Sequence, residues 1–183
     1  DDVMASYTVT EPGPIKIVTG DRDLFQLVDD KRKISVVYLA KGIANHDLVD
    51  LRWIAQKYDI PGERYALFAM IRGDASDGLP GIRGIGEKGA AIIAKQFENL
   101  EEVMLAAKND DERLTPNARK KLLESAEYAR IAPKLVHCAL DVPLPKLDIE
   151  LPKRPNNLDE IYQYQKDYGL GASVDRLIAA LQW

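Results

Sequence analysis

The sequence predicts an α/β fold: a small sheet layer from the first third of the chain, with a helical layer behind it. Three observations carry this. Residues 15–19 (Ile-Lys-Ile-Val-Thr) and 34–40 are short β-branched runs. Between them Leu24, Phe25, Leu27 and Val28 suit one face of a short helix, the alternation of a parallel sheet. From Asn45 onward apolar residues recur at helical spacing, punctuated by Pro, Gly and capping residues.

Taken in order, Asp1-Asp2-Val3-Met4 reads as a helix start, since acids suit its positive end. Pro12-Gly13-Pro14 breaks the chain before the first strand, which ends at Gly20 and reads as a buried parallel strand. Asn45 is expected to cap a helix with Leu48, Leu51, Ile54, Ala55 and Tyr58 on its apolar face. Pro61 opens the next helix, through Tyr65, Leu67, Phe68 and Met70 to Gly73. Residues 99–107 form a short helix, and Asn109-Asp110-Asp111 a polar turn. Thr115-Pro116 starts another helix as a cap followed by Pro. A helix over 128–140 follows. Pro143, Pro145, Pro152 and Pro155 then mark an extended crossing, before final helices over 157–168 and 173–181.

The chain has 183 residues, 25 basic and 29 acidic, for a net charge of −4. That total does not advertise a nucleic-acid binder, but binding depends on local patches. Cys138 is the single cysteine, which excludes an internal disulfide and fits a reducing compartment. No run is long and apolar enough to span a membrane as a helix. The chain starts at Asp1 with no Met, and the beginning of the natural protein is expected to be missing.

The chemistry concentrates in residues 72–97. Asp74 and Asp77 sit in a Gly/Ser turn, and closely spaced carboxylates suit a hard, oxygen-liganded cation such as Mg²⁺ or Mn²⁺. Directly after them, Leu79-Pro80-Gly81-Ile82-Arg83-Gly84-Ile85-Gly86 leads into a helix carrying Lys88, Ala91 and Lys95. A Gly-Ile-Gly turn at a helix N-terminus suits a phosphate, because Gly lets backbone N–H groups approach closely. This is the helix-hairpin-helix pattern, which reads no bases and predicts sequence-independent, salt-sensitive binding. Asp21 and Asp23 lie just past a strand's C-terminal end, where ligands collect in open α/β sheets. Plainer readings stand beside each of these: Asp21 as a helix cap, Asp74 and Asp77 as an Asx turn, the hairpin as a bare connection. Against them, three acidic pairs clustered without a cation would repel strongly, and a two-metal site uses many carboxylates. Arg119, Lys120, Lys121 and Lys134 extend the phosphate track or form a solvated face. Trp53 and Trp183 read as packing residues, and His46 and His137 are assigned no chemistry.

Together these residues resemble the 5′-nuclease family: the 5′→3′ exonuclease domain of bacterial DNA polymerase I, its free-standing relatives and the flap endonucleases. Asp1-Asp2-Val3 resembles the end of that family's E-A-D-D-V segment. Thr19-Gly20-Asp21-Arg22-Asp23-Leu24 is similar to its T-G-D-K/R-D-L element. Residues 73–81 are similar to its G-D-x-S-D-N-x-P-G element, running into its helix-3-turn-helix. The resemblance implies a PIN-like α/β core, here incomplete at its N-terminus, with a helix-3-turn-helix and a C-terminal helical layer. It places the remainder of the catalytic core in residues 1–72, and the DNA-binding hairpin with the last helices in 73–183. The implied activity is structure-specific 5′→3′ exonuclease or flap endonuclease cleavage in replication and repair. Two Mg²⁺ or Mn²⁺ ions are implied, with Asp2, Asp21, Asp23, Asp74 and Asp77 catalytic and Asp1 completing the metal set. Gly81, Arg83, Gly84, Gly86, Lys88, Lys120 and Lys121 would hold DNA, and the carbonyls of Ile82 and Ile85 are candidate K⁺ ligands. The implied substrate is branched or 5′-flap DNA and the implied setting the bacterial cytoplasm and nucleoid. The protein is expected to be a monomer, with a DNA polymerase or sliding clamp open as partner.

The chain departs from the family in lacking its earlier strand with a first catalytic Asp, its basic helical arch and the Glu of E-A-D-D. Gly78 replaces the usual Asn and Gly89 the usual Thr. The 183-residue piece alone is therefore expected to be poorly active or inactive. The rival readings are a non-catalytic DNA-binding module, predicting metal-independent binding without cleavage, and a small-molecule phosphohydrolase, which leaves the hairpin unexplained.

Overall fold

The computed structural model describes residues 1–146, 150 and 153–182. It divides into two compact units, 1–144 and 145–183. In the first, helix α1 (Asp2–Thr10) precedes strand β1 (Ile15–Thr19), a 3₁₀ turn (Asp23–Leu27) and strand β2 (Ile34–Tyr38). β1 and β2 pair in parallel, Ile15 opposite Ile34 and Thr19 opposite Tyr38. A third strand, β3 (Asp47–Val49), adds antiparallel to β2, Val36 opposite Val49.

β3 corrects one expectation. Asn45 caps no α-helix: it ends a 3₁₀ turn, and Leu48 lies in a strand with half its surface exposed. Helix α2 (Leu51–Tyr58) starts instead at Asp50, whose Oδ1 accepts from the Trp53 N–H at 2.6 Å. A three-residue strand carries too little periodicity to be seen locally; its pairing with β2 decides it. β1 is also less buried than its apolar run suggests. Ile17 is buried while Val18 is 58% exposed, because β1 lies at the edge of the sheet.

Behind the sheet, a 3₁₀ turn (Gly62–Arg64) runs into the almost wholly apolar helix α3 (Tyr65–Arg72), which ends at Gly73. Helix α4 (Glu87–Ala94) follows the hairpin, and α5 (Leu100–Lys108) starts at the Asn99 cap. In α6 (Pro116–Glu124) the Thr115 hydroxyl accepts from the Ala118 N–H at 3.2 Å, the expected cap-then-Pro start. Helix α7 (Ala126–Val136) starts earlier and ends four residues before the expected Leu140, and it contains Pro133. One core runs through this unit, from Phe25, Val36 and Val49 to Phe68, Ile82, Phe97, Leu122 and Ala132. Tyr128 donates from its hydroxyl to the Met70 carbonyl at 2.8 Å, fixing α7 on α3.

In the second unit, α8 (Leu158–Asp167) starts at Asn157, whose side chain accepts from the Glu160 N–H at 3.1 Å. It is followed by α9 (Ala172–Leu181). Pro143, Pro145 and Pro155 lie outside regular structure, as expected; Pro152 and Trp183 lie outside the described residues. No helix among the described residues is long and apolar enough to cross a membrane.

Candidate functional site: a carboxylate cluster clasped to a helical hairpin

The turn after α3 joins both predicted chemistries. Asp74 and Leu79 exchange backbone hydrogen bonds at 2.9 and 2.8 Å, closing a tight loop around Asp77. The Ile82 N–H then donates back to the Ile71 carbonyl at 2.9 Å, so the hairpin is sewn to the last turn of α3. The close approach requires glycine twice. Gly73 (φ +77°) and Gly81 (φ +64°) lie backbone against backbone, where a Cβ on either would fall 2.6 Å from the other segment's main chain.

Asp23, at the start of the first 3₁₀ turn, meets this loop. Each of Asp23, Asp74 and Asp77 offers a carboxylate oxygen within 4.8 Å of the others. Asp74 is 6% exposed. Arg22 grips its Oδ2, with Nε at 2.9 Å and Nη2 closer still; Arg72 Nη2 approaches the same oxygen at 3.7 Å, and the Ser76 N–H donates to Oδ1 at 3.0 Å. Burial would raise the Asp74 pKa, but the Ser76 and Arg22 hydrogen bonds and the Arg22 charge outweigh it, holding the carboxyl below its ordinary value. Asp23 has no such donor among the described residues. Desolvation first, and the charges of Asp21, Asp77 and Asp74 next, push it up to about 6. Hard oxygen donors converging while repelling one another fit a divalent metal cation.

Asp21 shares the cleft with Asp74 and Asp77, its Oδ1 accepting from the Asp23 N–H at 2.9 Å, so it makes an Asx turn at the cluster's edge. Asp2 is exposed, and its Oδ1 accepts from the Ala139 N–H at 2.9 Å. It is not one of the three carboxylates that converge; burial first, and the charges of Asp2, Asp23 and Asp21 after it, raise the Cys138 thiol pKa. Asp1 is exposed at the start of α1, and its side chain makes no capping bond. The residues that sequence reasoning passed over are Arg22, Arg72 and Ser76. Their signal was an arginine inside one acidic pair and another just before Gly73-Asp74.

In the hairpin, Arg83, Gly84, Gly86 and Lys88 are exposed, while Gly81, Ile82 and Ile85 are buried. Lys121, from α6, donates to the Gly84 carbonyl at 2.7 Å. Lys120 faces Glu124 at 3.8 Å, and Arg119 Nη1 is occupied by the carbonyls of Asp110, Asp111 and Leu114. Gly78 has φ +71° and open space around an added Cβ. Asn tolerates that conformation, so Gly78→Asn should shift stability by less than about 0.5 kcal/mol, as thermal melts would show.

Comparison with known proteins agrees with this geometry. Residues 60–163 match the family model described as 5'-3' exonuclease, C-terminal SAM fold. A 5'-3' exonuclease of Streptomyces coelicolor is 45% identical over 181 residues, covering 99% of this chain and 60% of that protein. One of Mycobacterium tuberculosis is 38% identical over 150 residues, 79% of this chain and 47% of the relative. DNA polymerase I of Chloroflexus aurantiacus is 36% identical over 155 residues, 82% of this chain but 16% of the polymerase. The chain thus spans at most about three fifths of these relatives. Among solved structures, the T5 5'-exonuclease with bound divalent metal ions (zinc) matches with a TM-score of 0.57 at 23% identity, over 74% of this chain and 48% of that one. The likeness shows a shared fold, the PIN-like arrangement expected from the resemblance. On this match through the hairpin and the helices around it, the chain belongs to the 5'-3' exonuclease family.

Proposed function

We propose that this chain carries most of the cleavage site and the duplex-binding hairpin of a divalent-metal-dependent 5′→3′ exonuclease and flap endonuclease. Its substrate on this reading is branched or 5′-flap DNA, in bacterial replication and repair at the nucleoid. The observation that supports it is the Gly73–Gly81 clasp, which fixes a carboxylate cluster and a phosphate-gripping turn to one helix end. A pure DNA binder gains nothing from acids beside phosphate.

Asp23, Asp74 and Asp77 would hold Mg²⁺ or Mn²⁺, with Asp2, Asp21 and Asp1 completing a two-ion set. Bound there, the metal supplies Lewis-acid charge for a phosphodiester and lowers the pKa of water. The chain's own groups do the rest. Arg22 and Ser76 hold Asp74 ionised and in one orientation. The exposed backbone of Gly84 and Gly86, with Arg83 and Lys88, holds duplex phosphates without reading bases. The buried turn at Ile82 and Ile85 offers carbonyls for K⁺. Residues 1–72 form the remainder of the catalytic core and 73–183 the duplex-binding part, which also lends Asp74 and Asp77 to the cleavage site, in a monomer with a polymerase or sliding clamp open as partner.

The test is cleavage of a 5′-end-labelled flap DNA by this chain and by the protein extended through its natural N-terminus. Mg²⁺-dependent cutting by the longer form, abolished by Asp74→Ala, is expected. A longer form that binds the flap but cuts it under no divalent ion would leave only the DNA-binding module standing. A second measurement addresses the hairpin. Lys121→Met should weaken duplex binding about equally across sequences and reduce the salt slope by about one. Lys120→Met should do less, because Glu124 already partly neutralises it.

A further inference from the structure

A second cavity, of ≈ 690 Å³, adjoins the carboxylate cleft; Arg22 and Tyr38 line both. Its walls combine flat aromatic side chains, Tyr38, Trp53 and Tyr58, with the cations Arg22, Lys57 and Arg72. Arg72 is the informative one. Its side chain is 10% exposed, its Nε donates to the Gly73 carbonyl at 3.1 Å, and its guanidinium stacks 5.0 Å over Phe68. Its buried Nη2 has Asp74 Oδ2 as an ion-pair partner at 3.7 Å, too far for a hydrogen bond, and no hydrogen-bond acceptor among the described residues. Asp74 supplies the charge but not the hydrogen bond, and a buried charged donor short of an acceptor is costly, so a second anion at this wall adds what Asp74 does not. Lys57, exposed in the last turn of α2, has no ion-pair partner among the described residues.

We propose that this cavity is a nucleotide pocket. On the nuclease reading above, on which this rests, it takes the DNA residue next to the bond being cut, its phosphate on the Arg72 and Lys57 side and its base against Trp53 and Tyr58. The wall shared with the Asp74 cleft provides that adjacency. Trp53 packs edge-on against Phe25 at 5.5 Å, as a packing residue should, but it also lines the cavity and so has a second use. The volume lies within the range of small-ligand sites, about 300–1,000 Å³. Two carboxylates line it as well: Asp47, paired with Lys41 at 3.2 Å, and Glu87. Their charge disfavours a long run of phosphates, so a single nucleotide residue fits better than a continuous strand.

The experiment titrates this chain in EDTA with 5′-dTMP, thymidine and inorganic phosphate, following tryptophan fluorescence. Trp53→Phe identifies which tryptophan reports. The expected result is quenching by dTMP, with affinity at least about fivefold above either fragment alone, because charge and stacking both contribute. Lys57→Gln and Arg72→Lys should each weaken dTMP about five- to tenfold. Lys57 is exposed, so its variant keeps the test valid should Arg72→Lys fold poorly. Equal affinity for dTMP and inorganic phosphate, or unchanged affinity in both variants, would overturn the proposal and leave a buried water as the Arg72 partner. Because EDTA removes any metal, dTMP binding that the variants weaken supports the pocket even if the extended protein never cuts a flap. In that case the nuclease reading fails and the nucleotide site remains.

Discussion

Asp23→Asn is expected to abolish flap cleavage in the N-terminally extended protein and, without metal, to make the fold more stable. The sign follows from the carboxylate's surroundings. Its pKa is raised from an ordinary 3.8 to about 6 by burial and by Asp21, Asp77 and Asp74. Below pH 3.8 the group is protonated folded or unfolded and costs nothing. As pH rises towards 6 the unfolded chain ionises first, so stability is progressively lost and the full cost is present above about 6. Two units correspond to about 3 kcal/mol, which screening at a half-buried group reduces to about 1–2. Asn has nearly the same shape without the charge. In EDTA at pH 7.5 the variant should therefore melt about 3–6 °C higher, and the advantage should vanish near pH 4. Mn²⁺ should reverse the ranking, because a cation bound to the folded form stabilises only the protein that keeps its ligand. If the variant melts no higher than its parent in EDTA, the carboxylates do not repel and the cluster is not built for a cation.

The sequence shows where such groups lie along the chain but not which of them meet. Asp74 and Asp77 share a turn legible at once, and Asp21 and Asp23 were placed correctly past the end of β1. That Asp23 rather than Asp21 closes on Asp74 depends on the 3₁₀ turn, whose geometry comes from burying Leu24 and Phe25. Helix starts are legible at Asn99, Thr115 and Asn157, where a side chain satisfies the first turn by itself, but not at Asp50, which caps α2 in the same way. They were not at Asn45, where pairing of Asp47 with Tyr38 across the sheet outweighs local periodicity. Arg22 and Arg72 escaped notice because an arginine beside acids reads as surface charge until burial shows which oxygen it holds.

Gly81→Ala should be the most damaging single substitution of a non-catalytic residue. At φ +64° an L-residue costs about 1–2 kcal/mol. The new Cβ would also lie 2.6 Å from the Arg72 carbonyl oxygen and 2.7 Å from the Gly73 nitrogen. These are main-chain atoms, so no side-chain rotation relieves the contact; the hairpin must part from α3 and break the bond between the Ile82 N–H and Ile71. A loss of at least about 3 kcal/mol is expected, seen as a melting point lower by about 6–12 °C or as insolubility. Gly86→Ala is the control. Its φ is −86° and an added Cβ meets nothing within 4 Å, so stability should change by less than about 1 kcal/mol. Flap binding and cleavage should fall together in Gly81→Ala, since one clasp positions Asp74 on one side and the phosphate turn on the other. A soluble Gly81→Ala protein with the parent's melting point would show that the two glycines do not hold the site together.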